Sequence, residues 1–279
     1  MAPGGRIDYN RRYPAPSKEF AIIRIRQANR AEPRTRRSTR HHRDPGDGNT
    51  IVLATVGAVV LATLFAVNWI TPVIHAAAAA PFFFRAMRRR AHSWALVLAA
   101  RWAVALFSSI LVLGVFLPDR MIRSLPMAAT TVETVQLWVS GGGAPPANYG
   151  FLLWGLALFL GATVTTGGIG GFVVGSIAIG GTASGALYIE RHGYNLIQTA
   201  FVAVPIWQWM TLLAGIALLV PASLPFYRRV FPDLDGGIEN RTLLKRYMYA
   251  GAGLFALSLV LRLTTEGLWR SLIDRWTVI

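Results

Sequence analysis

Long uncharged apolar runs, separated by short clusters of arginine, proline and glycine, set the pattern of this chain. A helical run of about eighteen or more apolar residues matches the hydrocarbon thickness of a bilayer. The pattern predicts spans at 50–74, 93–117, 149–166, 168–189, 196–220 and 247–268, with the main connections at 118–148 and 221–246. The fold class is therefore all-α: a polytopic transmembrane helical protein of five or six spans, with a glycine-rich central helix and interfacial segments.

Polar residues inside and beside these runs carry the local detail. Asn68 and Trp69 lie near the far end of the first span, and Pro72 marks its kink or exit. His75, an alanine run and Phe82, Phe83 and Phe84 then lead to Arg85, Arg88, Arg89 and Arg90, which read as an interfacial turn clamped to phosphate headgroups. Arg101 lies two turns into the second span, close enough to the helix start to snorkel back to that interface. The competing readings are a buried ion pair and a site for an anionic lipid or substrate. Between Pro126 and the triplet Gly141, Gly142, Gly143, residues 127–139 predict a short helix along the membrane, anchored by Trp138.

From Tyr149 to Tyr188 no charge occurs, and one helix of that length would be about 60 Å long, roughly twice the hydrocarbon thickness. A break is expected near Thr165, Thr166, Gly167 and Gly168, against three alternatives: a re-entrant segment, a long tilted helix, or a helix projecting beyond the bilayer. Gly167, Gly171 and Gly175 recur at every fourth position, and Gly181 with Gly185 continue small-residue spacing nearby. Such a strip lets backbones approach where lipid removes the hydrophobic drive for helix association. It suits packing within the protein or against another subunit, with pore lining or a hinge as the competing uses. Pro205 should bend the next helix or mark its start, and Pro221 and Pro225 should end it. In the last run Arg262, Glu266, Arg270 and Asp274 fall at i,i+4 spacing and place alternating charges on one face. The simplest reading is a charged extension leaving the hydrocarbon near Arg262; the functional alternative is an intramembrane relay.

Charge adds an asymmetry. The formal net charge is +15, from 28 basic and 13 acidic residues, and residues 1–48 form a basic Pro/Arg-rich extramembrane tail. Such an excess favours a bilayer with anionic lipids or an acidic partner subunit. Arg34, Arg36, Arg37 and Arg40 could hold phosphate nonspecifically, but no recognition module accompanies them, so nucleic acid is a poor partner. Six spans place both termini on one side and leave basic clusters on both sides, against the positive-inside rule; a hairpin within 51–84, or one uninterrupted glycine-rich helix, would change that parity.

Candidate chemistry is sparse. Cysteine is absent, which excludes disulfides, thiolate metal sites and cysteine nucleophiles. His75 and His92 are the cofactor candidates, as ligands to haem or a chlorin pigment, and a hairpin of the first two spans would bring them towards one side. Neither sits in an attachment motif, so interfacial hydrogen bonding is the simpler role. Ser184 with His192 makes no positioned nucleophile and base, and Asp233, Asp235 and Glu239 share a loop with basic residues. No metal site or catalytic set is expected. The leading function is an accessory or scaffold subunit of a larger integral-membrane complex with bound lipids. The alternative is a small-solute or ion transporter or channel, and third a membrane-embedded lipid-processing enzyme. A bacterial cytoplasmic or energy-transducing membrane is expected, with an organelle membrane as the other setting.

Overall fold

The first apolar run is interrupted sooner than its hydropathy suggests. Ala66 adopts a left-handed conformation (φ 50°), its N–H still donating to the Ala62 carbonyl, and the helix that began at Pro45 stops at Phe65. A new helix starts at Thr71, with Pro72 in its first turn, where a missing N–H costs nothing. Pro72 thus opens a helix instead of closing one. The helix expected at 50–74 is two antiparallel pieces, and the alanine run with Phe82, Phe83 and Phe84 is helical where an interfacial turn was expected.

The computed structural model describes residues 45–66, 68–139, 149–190, 203–232 and 238–277. Among them are α1 (Pro45–Phe65), α2 (Thr71–Arg88), α3 (His92–Phe116), α4 (Pro118–Ser124), α5 (Ala128–Val139), α6 (Tyr149–Thr166), α7 (Ile169–Glu190), α8 (Ile206–Val230) and α9 (Ile238–Thr277). The tail at 1–44, with Phe20–Ile25 and the arginines at 34–40, lies outside the described residues, as do His192, Asp233 and Asp235.

The helices alternate in direction. Arg85 near the end of α2 bonds Asp47 at the start of α1 (2.9 Å), and Trp102 in α3 donates to the His75 carbonyl in α2 (3.0 Å). At the far end, Thr63 of α1 reaches Met121 of α4, and Gly114 of α3 lies against Leu187 of α7. α6 and α7 form a tight hairpin. Gly167 (φ +64°) and Gly168 (φ +106°) occupy backbone regions that side chains avoid, and the Gly168 N–H caps back to Thr163 (3.0 Å). Thr166 then accepts from the Gly170 N–H (2.7 Å), starting α7.

α8 begins directly after Pro205 and, contrary to expectation, continues through Pro221 and Pro225 to Val230. Pro221 and Pro225 remove the N–H donors that the carbonyls of Ala217 and Pro221 would otherwise receive, and between them Ser223 Oγ donates to the Val220 carbonyl (2.8 Å). α9 runs forty residues, about 60 Å, and packs chiefly along α8, with Gly251 admitting Leu218.

Among the described residues five helices are long and apolar enough to cross a membrane: 46–65 in α1, α3, 169–189 in α7, α8 and 241–269 in α9; α6 holds a shorter apolar segment. α2, diluted by His75, Pro81 and its arginines, packs among α1, α3 and α7 and runs between the same two ends. The core filling this bundle is built from Ile51, Phe83, Leu98, Leu106, Ile110 and Phe172, each at most 1% exposed.

Candidate functional site

Two polar places stand out from this apolar framework. The first is at mid-depth. His75 is fully buried, and its Nδ1 lies 2.8 Å from Ser176 Oγ of α7. Trp102 ties the His75 carbonyl to α3 and stacks edge-on against Phe172 (4.8 Å between centroids), which meets Phe83 in the same way (5.2 Å). Gly175 faces this indole, where an added Cβ would stand 3.5 Å from the ring, an ordinary contact. His75 thereby ties three helices together, its ring meeting α7 and its carbonyl α3. Its Nε2 is buried without a hydrogen-bond partner, so a haem or chlorin ligated there would have to displace side chains that enclose it.

His92 does not share this place. It opens α3, whereas His75 lies thirteen residues before the end of α2, about 20 Å along the helix. The pairing expected of a simple hairpin fails because α2 is itself a full-length helix between them.

The second place is the bundle end where α1 begins, α2 ends, α3 begins and α8 ends. Here Arg88 lies over the rings of Phe84 (5.9 Å) and Phe231 (5.1 Å), and Tyr227 packs among Phe84, Phe226 and Phe231. Arg85 holds Asp47, while Arg88, Arg89 and Arg90 are exposed. Arg101 stretches two turns back along α3: its guanidinium lies 5.7 Å from the Trp94 ring and against Gly48, where a Cβ would collide with it. That is the geometry of snorkelling. Positive charge from Arg90 and Arg228 acts on the His92 ring. The α2–α3 turn is a Schellman motif, with Arg90 N–H donating to Met87 and Ala91 N–H to Ala86, and Arg90 stands at φ 57° where glycine is usual. A side chain in that conformation costs about 1–2 kcal/mol.

Three buried polar atoms at this end have no hydrogen-bond partner: His92 Nδ1, Trp94 Nε1 and Tyr227 OH. The first turn of α3 has no side-chain cap, so its leading N–H groups lack helical acceptors. The sequence pointed to the arginines but not to Trp94, Tyr227 or Asp47. An indole and a phenol at the ends of apolar runs were the available signal, because each needs a polar partner there.

The glycines do not form one uninterrupted strip. Gly167 belongs to the hairpin turn and meets Phe226; Gly171 faces Thr163 and Leu219, Gly175 faces Trp102, and Gly181 and Gly185 face Thr131 and Val135 of α5. Within the described residues the small face of α7 is covered by helices of its own chain. At the opposite end of the bundle Arg262 pairs with Glu266 (3.6 Å), both side chains about one-fifth exposed; the side chains of Arg270 and Asp274 lie outside the described residues. No cluster of three or more potential metal ligands occurs among the described residues.

No protein-family model, curated protein or solved structure matches this chain. Helix length, apolarity and the placement of arginine and tryptophan define the class: an all-α, multi-pass integral membrane protein.

Proposed function

We infer that the protein is an accessory or scaffold subunit of a larger integral-membrane complex, seated with its arginine-rich end at the cytoplasmic face. The observation that supports the subunit reading is α9. Tyr247 donates to Ser93 at the start of α3 (3.3 Å), and Trp269 meets Trp207 at the start of α8 edge to face (5.6 Å between centroids). Residues 247–269 therefore span the bundle, and the helix continues past both levels, by about 13 Å before Tyr247 and about 12 Å after Trp269. Only 17% of its apolar window is buried. A strut of this length, with Arg262 and Glu266 on an otherwise apolar stretch, suits a neighbouring membrane subunit better than lipid alone.

The seating follows from parity. With α2 counted as a passage, seven helices among the described residues run between the two ends, so Arg85–Arg90, Arg228, Arg229, Arg241, Lys245 and Arg246 all gather at the end where α1 begins. The positive-inside rule puts that end in the cytoplasm.

Gentle solubilisation from native membranes tests the reading. A stoichiometric membrane protein should copurify with the wild-type chain and be lost when Leu257, Val260 and Leu263, all exposed on α9, are changed together to alanine. A homogeneous monomer with no companion in both preparations would end it.

A further inference from the structure

The first turn of α3 lies among arginines and has no side-chain cap. His92 is 6% exposed, yet its Nδ1 meets no acceptor or donor of the protein. Above it the α3 N–H groups have no side-chain cap, and a helix amino terminus attracts anions through those N–H groups and the macrodipole. The turn that delivers the chain to this point keeps arginine at position 90 in a left-handed conformation, so a guanidinium is held where glycine would relax the backbone. Arg228 arrives from the end of α8, next to the buried Tyr227.

The geometry points to a binding site for the phosphodiester of an anionic phospholipid, formed by the uncapped first turn of α3, His92, Arg90 and Arg228. Nδ1 is enclosed, so the headgroup reaches it by displacing the side chains around it; a neutral imidazole with its proton there then suffices as donor, and no change of charge is needed. Guanidinium groups complete the set with charge-assisted bonds to phosphate oxygens. The lipid origin follows from position. The site sits at the end of the bundle, and exposed Leu53 of α1 and Val97 and Val104 of α3 give acyl chains an apolar surface leading away from it. A zwitterionic headgroup would bring its own cation towards the arginines and bind less well. This site goes beyond the subunit reading and holds whether or not a partner exists.

The test is native mass spectrometry on the full chain purified in a neutral detergent, titrated separately with phosphatidylglycerol, phosphatidylcholine and inorganic phosphate. Phosphatidylglycerol should be retained at about tenfold lower concentration than phosphatidylcholine, and Arg90→Gly and Arg228→Gln should each weaken it about tenfold, the loss of one charge-assisted bond. His92→Phe should weaken it as well. Arg123→Gln, at the opposite end, should leave it unchanged. Arg90→Gly keeps the experiment decisive if other variants misfold, because glycine suits φ 57° and that variant should melt no lower than wild type. Equal retention of the two lipids would overturn the proposal. So would Arg90→Gly and Arg228→Gln behaving like Arg123→Gln, and competition by inorganic phosphate at the same concentration as the lipid would overturn the lipid assignment in favour of a free-anion site.

Discussion

α7 and α9 are both apolar enough to cross a bilayer, yet 56% of the apolar window of one is buried against 17% of the other. α7 touches α2, α3, α5, α6 and α8, while α9 leans on α8 and lightly on α5. Hydropathy does not separate them; side-chain size does. Where α7 meets its neighbours it carries Gly170, Gly171, Gly175, Gly180, Gly181, Gly185 and the small polar Ser176, so five helices can approach it. α9 has Gly251 against Leu218, but Gly253 and Gly267 face open space. In a membrane, small residues identify the central helix only when something fills the room they leave.

The largest expected effect that sharpens this contrast is Gly171→Leu. Even a Cβ at this position would collide with Thr163 Oγ1 and Leu219 Cδ1, and overpacking of this kind costs about 1–3 kcal/mol, here near the upper end. Thermal unfolding of the purified protein in detergent should show a clear drop; an unchanged midpoint would mean that α7 is not the packed centre. Ser176→Ala should come next. It leaves the His75 ring with no hydrogen bond on either nitrogen, and an unsatisfied buried group costs about 1–3 kcal/mol. A fall in the unfolding midpoint smaller than that of Gly171→Leu is the expected result, with rescue by Ser176→Thr if the added methyl is accommodated.

Much of this centre was legible in the chain. Two adjacent glycines after Thr165 and Thr166 announced the α6–α7 break, because only glycine takes φ values of +64° and +106° without strain. Arg101 was readable as a snorkelling residue from its distance to the helix start. The α1–α2 break was not legible, since Ala66 carries no turn signal and the proline nearby starts α2. That one miss hid a whole helix running between the two ends of the bundle, and with it the gathering of Arg85–Arg90 and Arg228 at one end. It also misplaced His75, which looked interfacial and is held at mid-depth by Ser176 and Trp102. A tryptophan in the middle of an apolar run was the clue, because its N–H must find an acceptor inside the bundle. The continuation of α8 through Pro221 and Pro225 was likewise hidden, because each proline removes a helical N–H and reads in the sequence as a helix end.

Smaller effects grade the rest of the comparison. Gly175→Ala places a Cβ 3.5 Å from the Trp102 ring, an ordinary contact. Helix propensity favours alanine by up to about 1 kcal/mol. The variant should therefore match or slightly exceed wild type in thermal unfolding, and a marked loss would show that the indole cannot yield at all.

Gly253→Leu on α9 should have the smallest effect on the isolated protein and is the most informative for function. Nothing lies within 4 Å of the added Cβ, and surface changes of this kind stay within about 0.5 kcal/mol. A leucine side chain facing lipid is at home. Should this face instead meet a second subunit, the same leucine would push a neighbouring backbone away, and the companion protein would be lost on solubilisation although the chain itself melts as before. Unchanged unfolding with lost assembly therefore separates a partner-facing α9 from a lipid-facing one. Unchanged unfolding with assembly retained would leave this stretch of α9 facing hydrocarbon and move the search for a partner surface to the exposed side of α6 around Leu153 and Leu158.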